Sequence, residues 1–185
     1  GSEADANLFH TDIDVTFGMS GEADNGLTFG ASVDLDESWQ DGVTGNPAMA
    51  DDDDDGGVAM FIAYGGMRLT MGDTDGAFDA AMQEVGYGGS IRDDHTSHAG
   101  YNGNAGLDGT YDGQIATAAY TSGAFTGYLS IEMDDAGNGD AVWGLGAKYT
   151  ANGITVGVGT QSVNDDGTGD SASVTGVSLT YTMNG

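Results

Sequence analysis

The chain lacks cysteine entirely, contains one proline and three basic residues among its 185, and has no long apolar run. Each shortage removes a class of protein. Without cysteine there is no disulfide scaffold, no thiolate metal site and no thiol redox chemistry. A membrane-crossing helix needs about 18 or more consecutive apolar residues, so helical spans are excluded, whereas strands that cross a bilayer leave a fainter signal. Thirty Asp and Glu against three Lys and Arg give a formal net charge of -27. That balance argues against any nucleic-acid partner and repels anionic headgroups, while it favours cations as solutes or bound ions. The chain opens on Gly1, Ser2 and Glu3 with no basic, apolar leader, as a processed or truncated product would.

What the chain does have is alternation. Leu27, Phe29, Ala31, Val33 and Leu35 fall on one face of an extended segment, and Thr28, Gly30, Ser32, Asp34 and Asp36 on the other. Period two of this kind marks a strand with one apolar and one wet face. It recurs near Asn7–Ser20, Leu27–Trp39, Gly57–Tyr64, Met67–Asp73, Gly113–Thr121, Ala124–Met133, Ala141–Ala151, Ile154–Gln161 and Ser173–Met183. Only the segment around Gln114 is ambiguous, because alanine dominates both of its faces. Turns at Gly21–Gly26, Gly65–Gly66, Ser122–Gly123 and Asn152–Gly153 are short; Asn-Gly between alternating runs is a strong hairpin signal. The connections at Gln40–Gly56, Thr74–Asp112, Asp134–Asp140 and Asn164–Ala172 are longer, and the two kinds alternate strictly.

Segregation of loop length by end, on antiparallel up-and-down strands, is the pattern of an all-β transmembrane β-barrel. The aromatics fit that reading. Phe17, Phe29, Tyr64, Tyr120, Phe125, Tyr149 and Tyr181 lie on the apolar face near short turns, and Phe9, Trp39 and Trp143 on the same face towards the long loops. Two bands of rings around an aliphatic belt correspond to the interfacial girdles of a barrel in lipid. A water-soluble sandwich would instead place its rings mid-strand. Nine strands cannot close as an ordinary bacterial barrel, which needs an even number. Either the chain is an incomplete portion of a larger barrel, or one strand is miscounted and a barrel of eight or ten is complete.

The most specific stretch is Gly72–Asp79, GDTDGAFD, followed by a long connection over about 74–112. With Gly26–Asp36, GLTFGASVDLD, it resembles the general diffusion porins of α-proteobacteria. The resemblance covers essentially the whole chain, as strands two to ten of a sixteen-stranded barrel. It implies one porin-like region over residues 1–185, a homotrimer embedded in outer-membrane lipid, and passive passage of small hydrophilic solutes. By position it places Asp75, Asp79, Glu84, Arg92, Asp93 and Asp94 on a constriction loop folded into the barrel. The family sets such loop acids against a cluster of wall arginines. Here the wall offers Arg68 and Lys148, while Asp12, Asp14, Asp34 and Asp36 take wet-face positions, so the expectation is a cation-preferring pore.

Other chemistry finds little support. No nucleophile elbow or metal-ligand pair accompanies His10, His95 and His98, so the chain is not expected to be an enzyme. No cofactor is required. The run Asp51, Asp52, Asp53, Asp54 and Asp55 is a candidate for calcium, since hard cations take six to eight oxygens. Five consecutive Asp cannot all face one ion, however, and a solvated external loop is the plainer reading. Asn164, Asp165, Asp166, Gly167 and Asp170 form a weaker candidate of the same kind. Glu132 reads as wall polarity rather than a base. The competing class is a secreted, acidic, Ca²⁺-stabilised adhesive β-protein, which has no repeat of fixed period behind it.

Overall fold

The computed structural model describes residues 12–38, 57–83, 85–86, 101–102, 105–111, 114–134 and 136–182. The chain runs through β1 (Asp12–Glu22), β2 (Thr28–Ser38), β3 (Val58–Tyr64) and β4 (Met67–Asp73) to a one-turn helix, α1 (Ala77–Ala81). Two short strands follow, β5 (Val85–Gly86) and β6 (Tyr101–Asn102), which pair with each other. The rest is β7 (Gln114–Ser122), β8 (Phe125–Glu132), β9 (Val142–Ala151), β10 (Ile154–Val163) and β11 (Ala172–Tyr181). All strands but β5 and β6 form one antiparallel sheet of nine, in chain order, and these are the nine strands read from the alternation. The sheet is not closed: β1 and β11 are its edges among the described residues.

Local chemistry sets the hairpins. Asn152 and Gly153 both take positive φ, 53° and 77°, the conformation that a two-residue turn matched to the strand twist requires. That turn fixes Ala151 opposite Ile154, and the register then runs unbroken to Trp143 opposite Ser162. Register also settles the ambiguous strand. Gly72 pairs with Ile115 and Thr70 with Thr117, so Ile115 and Thr117 share the face of Arg68, and Ala116, Ala118 and Tyr120 share the other.

The two faces meet different surroundings. One face presents Val15, Phe17, Met19, Met60, Ile62, Leu69, Leu129, Leu145, Val158, Val177 and Leu179, all exposed, with Leu145 at 60%, Leu179 at 70% and Val177 at 72%. These residues do not meet one another in a dry interior. The opposite face carries α1, which packs across β8, β9 and β10. The buried apolar residues among those described are Ala77, Phe78, Ala81, Met82, Ile115, Val142 and Val163, so the dry core lies between this loop and the wall.

An exposed apolar belt of this kind is stable only against hydrocarbon. Replacing Leu145, near the middle of β9, by Arg should therefore cost about 2–4 kcal/mol of folding into lipid vesicles. Ser32→Arg, on the other face, should stay within roughly 0.5 kcal/mol of wild type. Equilibrium folding into vesicles followed by urea titration measures both.

Candidate functional site

A row of glycines makes the seat for the loop. Gly146 on β9, Gly159 on β10 and Gly176 on β11 are directly opposite one another, flanked by Gly144 and Gly157. α1 lies on this row. A Cβ at Gly146 would overlap the Ala77 carbonyl and stand 2.7 Å from Ala81 Cβ; one at Gly157 would overlap the Ala81 carbonyl. At Gly159 it would come 3.1 Å from Phe78 Cα, and at Gly176 3.0 Å from Phe78 Cζ. The alternation alone puts these glycines on a water-lined wall. The structure corrects it: Gly144, Gly146, Gly157 and Gly159 are dry, covered by the helix, and their neighbour Val142 is buried as well. The available signal is glycine at alternate positions of two adjacent strands, which only a closely approaching backbone requires.

A five-residue helix has no stability of its own, so its packing and anchors must supply it. Burying Phe78 and Met82 contributes about 1.5–3 kcal/mol each. The anchors are the buried polar side chains of the wall. Ser130 Oγ accepts from Ala77 N at 2.8 Å, capping the helix from outside it, and Ser178 Oγ accepts from Gln83 N at 3.0 Å. Thr117 Oγ1 donates to the Asp75 carbonyl at 2.7 Å. On the returning arm, Glu132 Oε1 accepts from Tyr111 N at 3.1 Å and Gln161 Oε1 from Leu107 N at 2.8 Å. Thr117, Ser130, Glu132, Gln161 and Ser178 make up the buried polar set among the described residues, and each one holds the loop's backbone. Glu132 is thus neither a base nor plain wall polarity; it is a loop anchor, invisible until the returning arm is placed.

The returning arm also closes on the outgoing one. Asp108 Oδ2 accepts from Gly76 N at 2.7 Å, and its Oδ1 accepts from the Gln161 side-chain amide. Burial pushes the Asp108 carboxyl above the ordinary carboxylate range; the two donors pull it back, and Glu132 and Asp75 add to the rise. Tyr111 OH donates to the Asp140 carbonyl and approaches that of Asp165, tying this arm to the two neighbouring long loops.

The charged groups anticipated for the pore fall as follows. Arg68 stands in the cross-strand row Arg68, Ala119, Tyr128, Gly146, Gly159, hence on the face that carries α1. Its guanidinium lies 3.7 Å from the Phe61 ring centroid, and Nε donates to Thr70 Oγ1 at 3.1 Å. Lys148 shares this face, with Nζ 5.9 Å from the Tyr128 centroid. Asp34 is there too, accepting from Thr16 Oγ1 at 2.8 Å, while Asp14 opposite Asp36, and Asp12, hold register positions of the same face. Asp75 and Asp79 line a cavity of about 360 Å³ with Asp73 and Asp108. Glu84, Arg92, Asp93 and Asp94, assigned to the constriction loop, lie outside the described residues. So do Asp51, Asp52, Asp53, Asp54 and Asp55, the run considered for calcium, together with Phe9, Trp39, His10, His95 and His98. Phe17, Phe29, Tyr64, Tyr120, Phe125, Trp143, Tyr149 and Tyr181 are all exposed on the apolar face. Phe61 and Tyr128, which the aromatic bands do not include, point to the other face.

In the weaker acidic loop the carboxylates are taken up by the loop's own donors. Asp165 Oδ1 accepts from Gly167 N and Gly169 N, and Asp166 Oδ1 from Thr168 N and Oγ1. No group of three or more His, Cys, Asp or Glu gathers as metal ligands among the described residues. In the β8–β9 loop, Asp134 accepts from Asn138 N and Gly139 N, which holds its carboxyl below the ordinary range. Because the folded value is lowered, this turn is supported above the ordinary carboxylate range and loses that support as pH falls through the lowered value. An NMR titration should give Asp134 a midpoint below that of an unstructured aspartate. Gly146→Val should evict α1 from the wall and make the segment around Phe78 a protease site in the folded protein, while Gly127→Val, on the opposite face, should leave it protected.

Comparison with known proteins gives the arrangement its context. The full chain, residues 1–185, matches the family described as Gram-negative porin. No match is found among curated protein sequences. Among solved structures, a triple mutant of the Rhodopseudomonas blastica porin superposes with a TM-score of 0.60 at 23% identity, over 94% of this chain and 60% of that one. A double mutant of the same porin gives 0.58 at 22%, over 90% of this chain and 58% of the other. The chain therefore spans about three fifths of the length of these porins, and the open nine-stranded sheet is the corresponding part of a porin-type barrel. By its match over the whole length, the chain belongs to the Gram-negative porin family of non-catalytic outer-membrane proteins.

Proposed function

We propose that the protein forms a water-filled path for passive diffusion of small hydrophilic solutes and ions across the outer membrane. The observation that carries this reading is the division of the sheet: exposed aliphatics and rings on one face, and on the other a polar wall with a loop folded onto it. The belt fits surrounding lipid, with Tyr64, Tyr120, Phe125, Tyr149 and Tyr181 at headgroup level near the short turns and Trp143 towards the other end. An adhesive protein secreted into water would have no use for such a belt, which is why the channel reading comes first. The porin family supports assembly of several copies, and a homotrimer is the form we propose.

Ion preference follows from the charges on the loop-bearing face. Asp34, Asp75, Asp79 and Asp108 stand there against Arg68 and Lys148, and the cations are engaged with rings and a threonine hydroxyl. Rings of carboxylate select by sign, so the path should hold cations and turn anions away. Calcium at the run from Asp51 to Asp55 is a further proposal that rests on composition alone.

In planar lipid bilayers under a potassium chloride gradient, the full-length protein should give a reversal potential of cationic sign. Asp75→Lys with Asp79→Lys should reduce the cation-to-anion permeability ratio severalfold. An anionic reversal potential in the wild type would contradict the selectivity, and absence of conductance would contradict the channel itself.

A further inference from the structure

Gln161 is the one long polar side chain on the inner face of β10, and it is only 2% exposed. Both ends of its amide are committed. Oε1 accepts from Leu107 N at 2.8 Å, and Nε2 donates to Asp108 Oδ1. The second carboxylate oxygen of Asp108 accepts from Gly76 N at 2.7 Å. Donors and acceptors thus form an unbranched chain: Gly76 to Asp108, Asp108 to Gln161, Gln161 to Leu107. The surroundings leave no slack. A Cβ on Gly76 would overlap Asp108 and stand 2.6 Å from Gln161 Nε2, and one on Gly106 would overlap Gln161 Oε1 and stand 2.7 Å from Phe78 Cδ1.

The position of this chain of bonds in the loop is what gives it a role. Thr117, Ser130 and Ser178 hold the outgoing arm to the wall, and Glu132 holds the returning arm. The β5–β6 ladder joins arm to arm without the wall. Among the described residues, Asp108 and Gln161 are where both arms and the wall meet.

We propose that Asp108 and Gln161 form a clasp that fixes how far the loop stands from the wall, and so sets the width of the water path. The proposal rests on the channel reading above and names the positioning residues of that path. The clasp depends on matched polarity. A carboxylate offers only acceptors, and here both of its oxygens face N–H donors. Asp108→Asn turns an NH₂ group against another donor. Gln161→Glu sets a second carboxylate against Asp108, with Glu132 and Asp75 already acting on it. The exchange of both, Asp108→Asn with Gln161→Glu, reverses the middle bond and restores every one: the new amide donates to the new carboxylate, which still accepts from Leu107 N, while Gly76 N keeps its acceptor.

The test compares wild type, the two single variants and the exchanged pair in the full-length protein in lipid. It reads amide hydrogen exchange at Gly76 and Leu107 together with the polymer size that enters the conducting path. Each single variant should exchange about tenfold faster at these amides and admit larger polymers, since a mismatched buried donor or acceptor costs what a tenfold opening represents. The exchanged pair should return to within about twofold of wild type on both readouts, which a merely disruptive pair of substitutions would not do. Single variants indistinguishable from a conducting wild type, or an exchanged pair as impaired as its parents, would overturn the clasp alone. A wild type without conductance would overturn the channel reading and the width-setting role with it.

Discussion

In hydrocarbon no water is available to satisfy a backbone N–H or C=O, so each must find its partner within the protein. The antiparallel ladder from β1 to β11 meets that demand strand by strand, and much else follows from it. A paired strand shows its side chains alternately to two sides, so one side is free to be aliphatic and the other polar. The outward residues then need no mutual contact, which is why Leu129 and Leu145, on interior strands of the sheet, can be exposed in a stable fold. The same demand explains the hairpins: each short turn returns the chain at once to its own partner strand. It also explains why two strand edges cannot be left facing lipid.

A wall built in this way has no core in the usual sense, and the chain makes one elsewhere. The loop after β4 supplies Ala77, Phe78, Ala81 and Met82 to the inner face, where Gly146, Gly157 and Gly159 let its backbone come within van der Waals reach of the strands. Shape and polarity act together there. The glycines provide the room, and five buried wall side chains take up the backbone donors and acceptors that a one-turn helix and its flanking arms leave open. Each hydrogen bond contributes only about 0.5–1.5 kcal/mol, yet five on one loop suffice to hold one position rather than many. Under the channel reading proposed above, this contact rather than the wall by itself would set the width of the water path.

The strands, their order and the direction of each face were legible in the sequence because period-two alternation is imposed locally, residue by residue. The Ala-rich strand around Gln114 was not, since its faces differ too little; only the pairing of Ile115 with Gly72 and Glu132 decides it. The loop's seat was hidden for a related reason. Gly144, Gly146, Gly157 and Gly159 look like any small polar-face residues until a second backbone is laid across them. Glu132 and Gln161 were likewise unreadable as anchors, because their partners Tyr111 and Leu107 are 21 and 54 positions away in a loop without periodicity. The charged residues sort differently. Arg68, Lys148 and Asp34 share the register face that carries α1, and alternation gave no hint that the two cations would lie against Phe61 and Tyr128.

The account stands on which medium bathes each side of the sheet, and β2 offers a direct measurement. Because the chain has no cysteine, a single nitroxide label can be placed at Ala31 or at Ser32, adjacent residues on opposite faces, with the protein in a lipid bilayer. The label at Ala31 should relax with oxygen, which concentrates in hydrocarbon, and the label at Ser32 with a water-soluble nickel chelate. Two labels that both respond to the chelate, or the reverse assignment, would contradict a wall with lipid outside and water within.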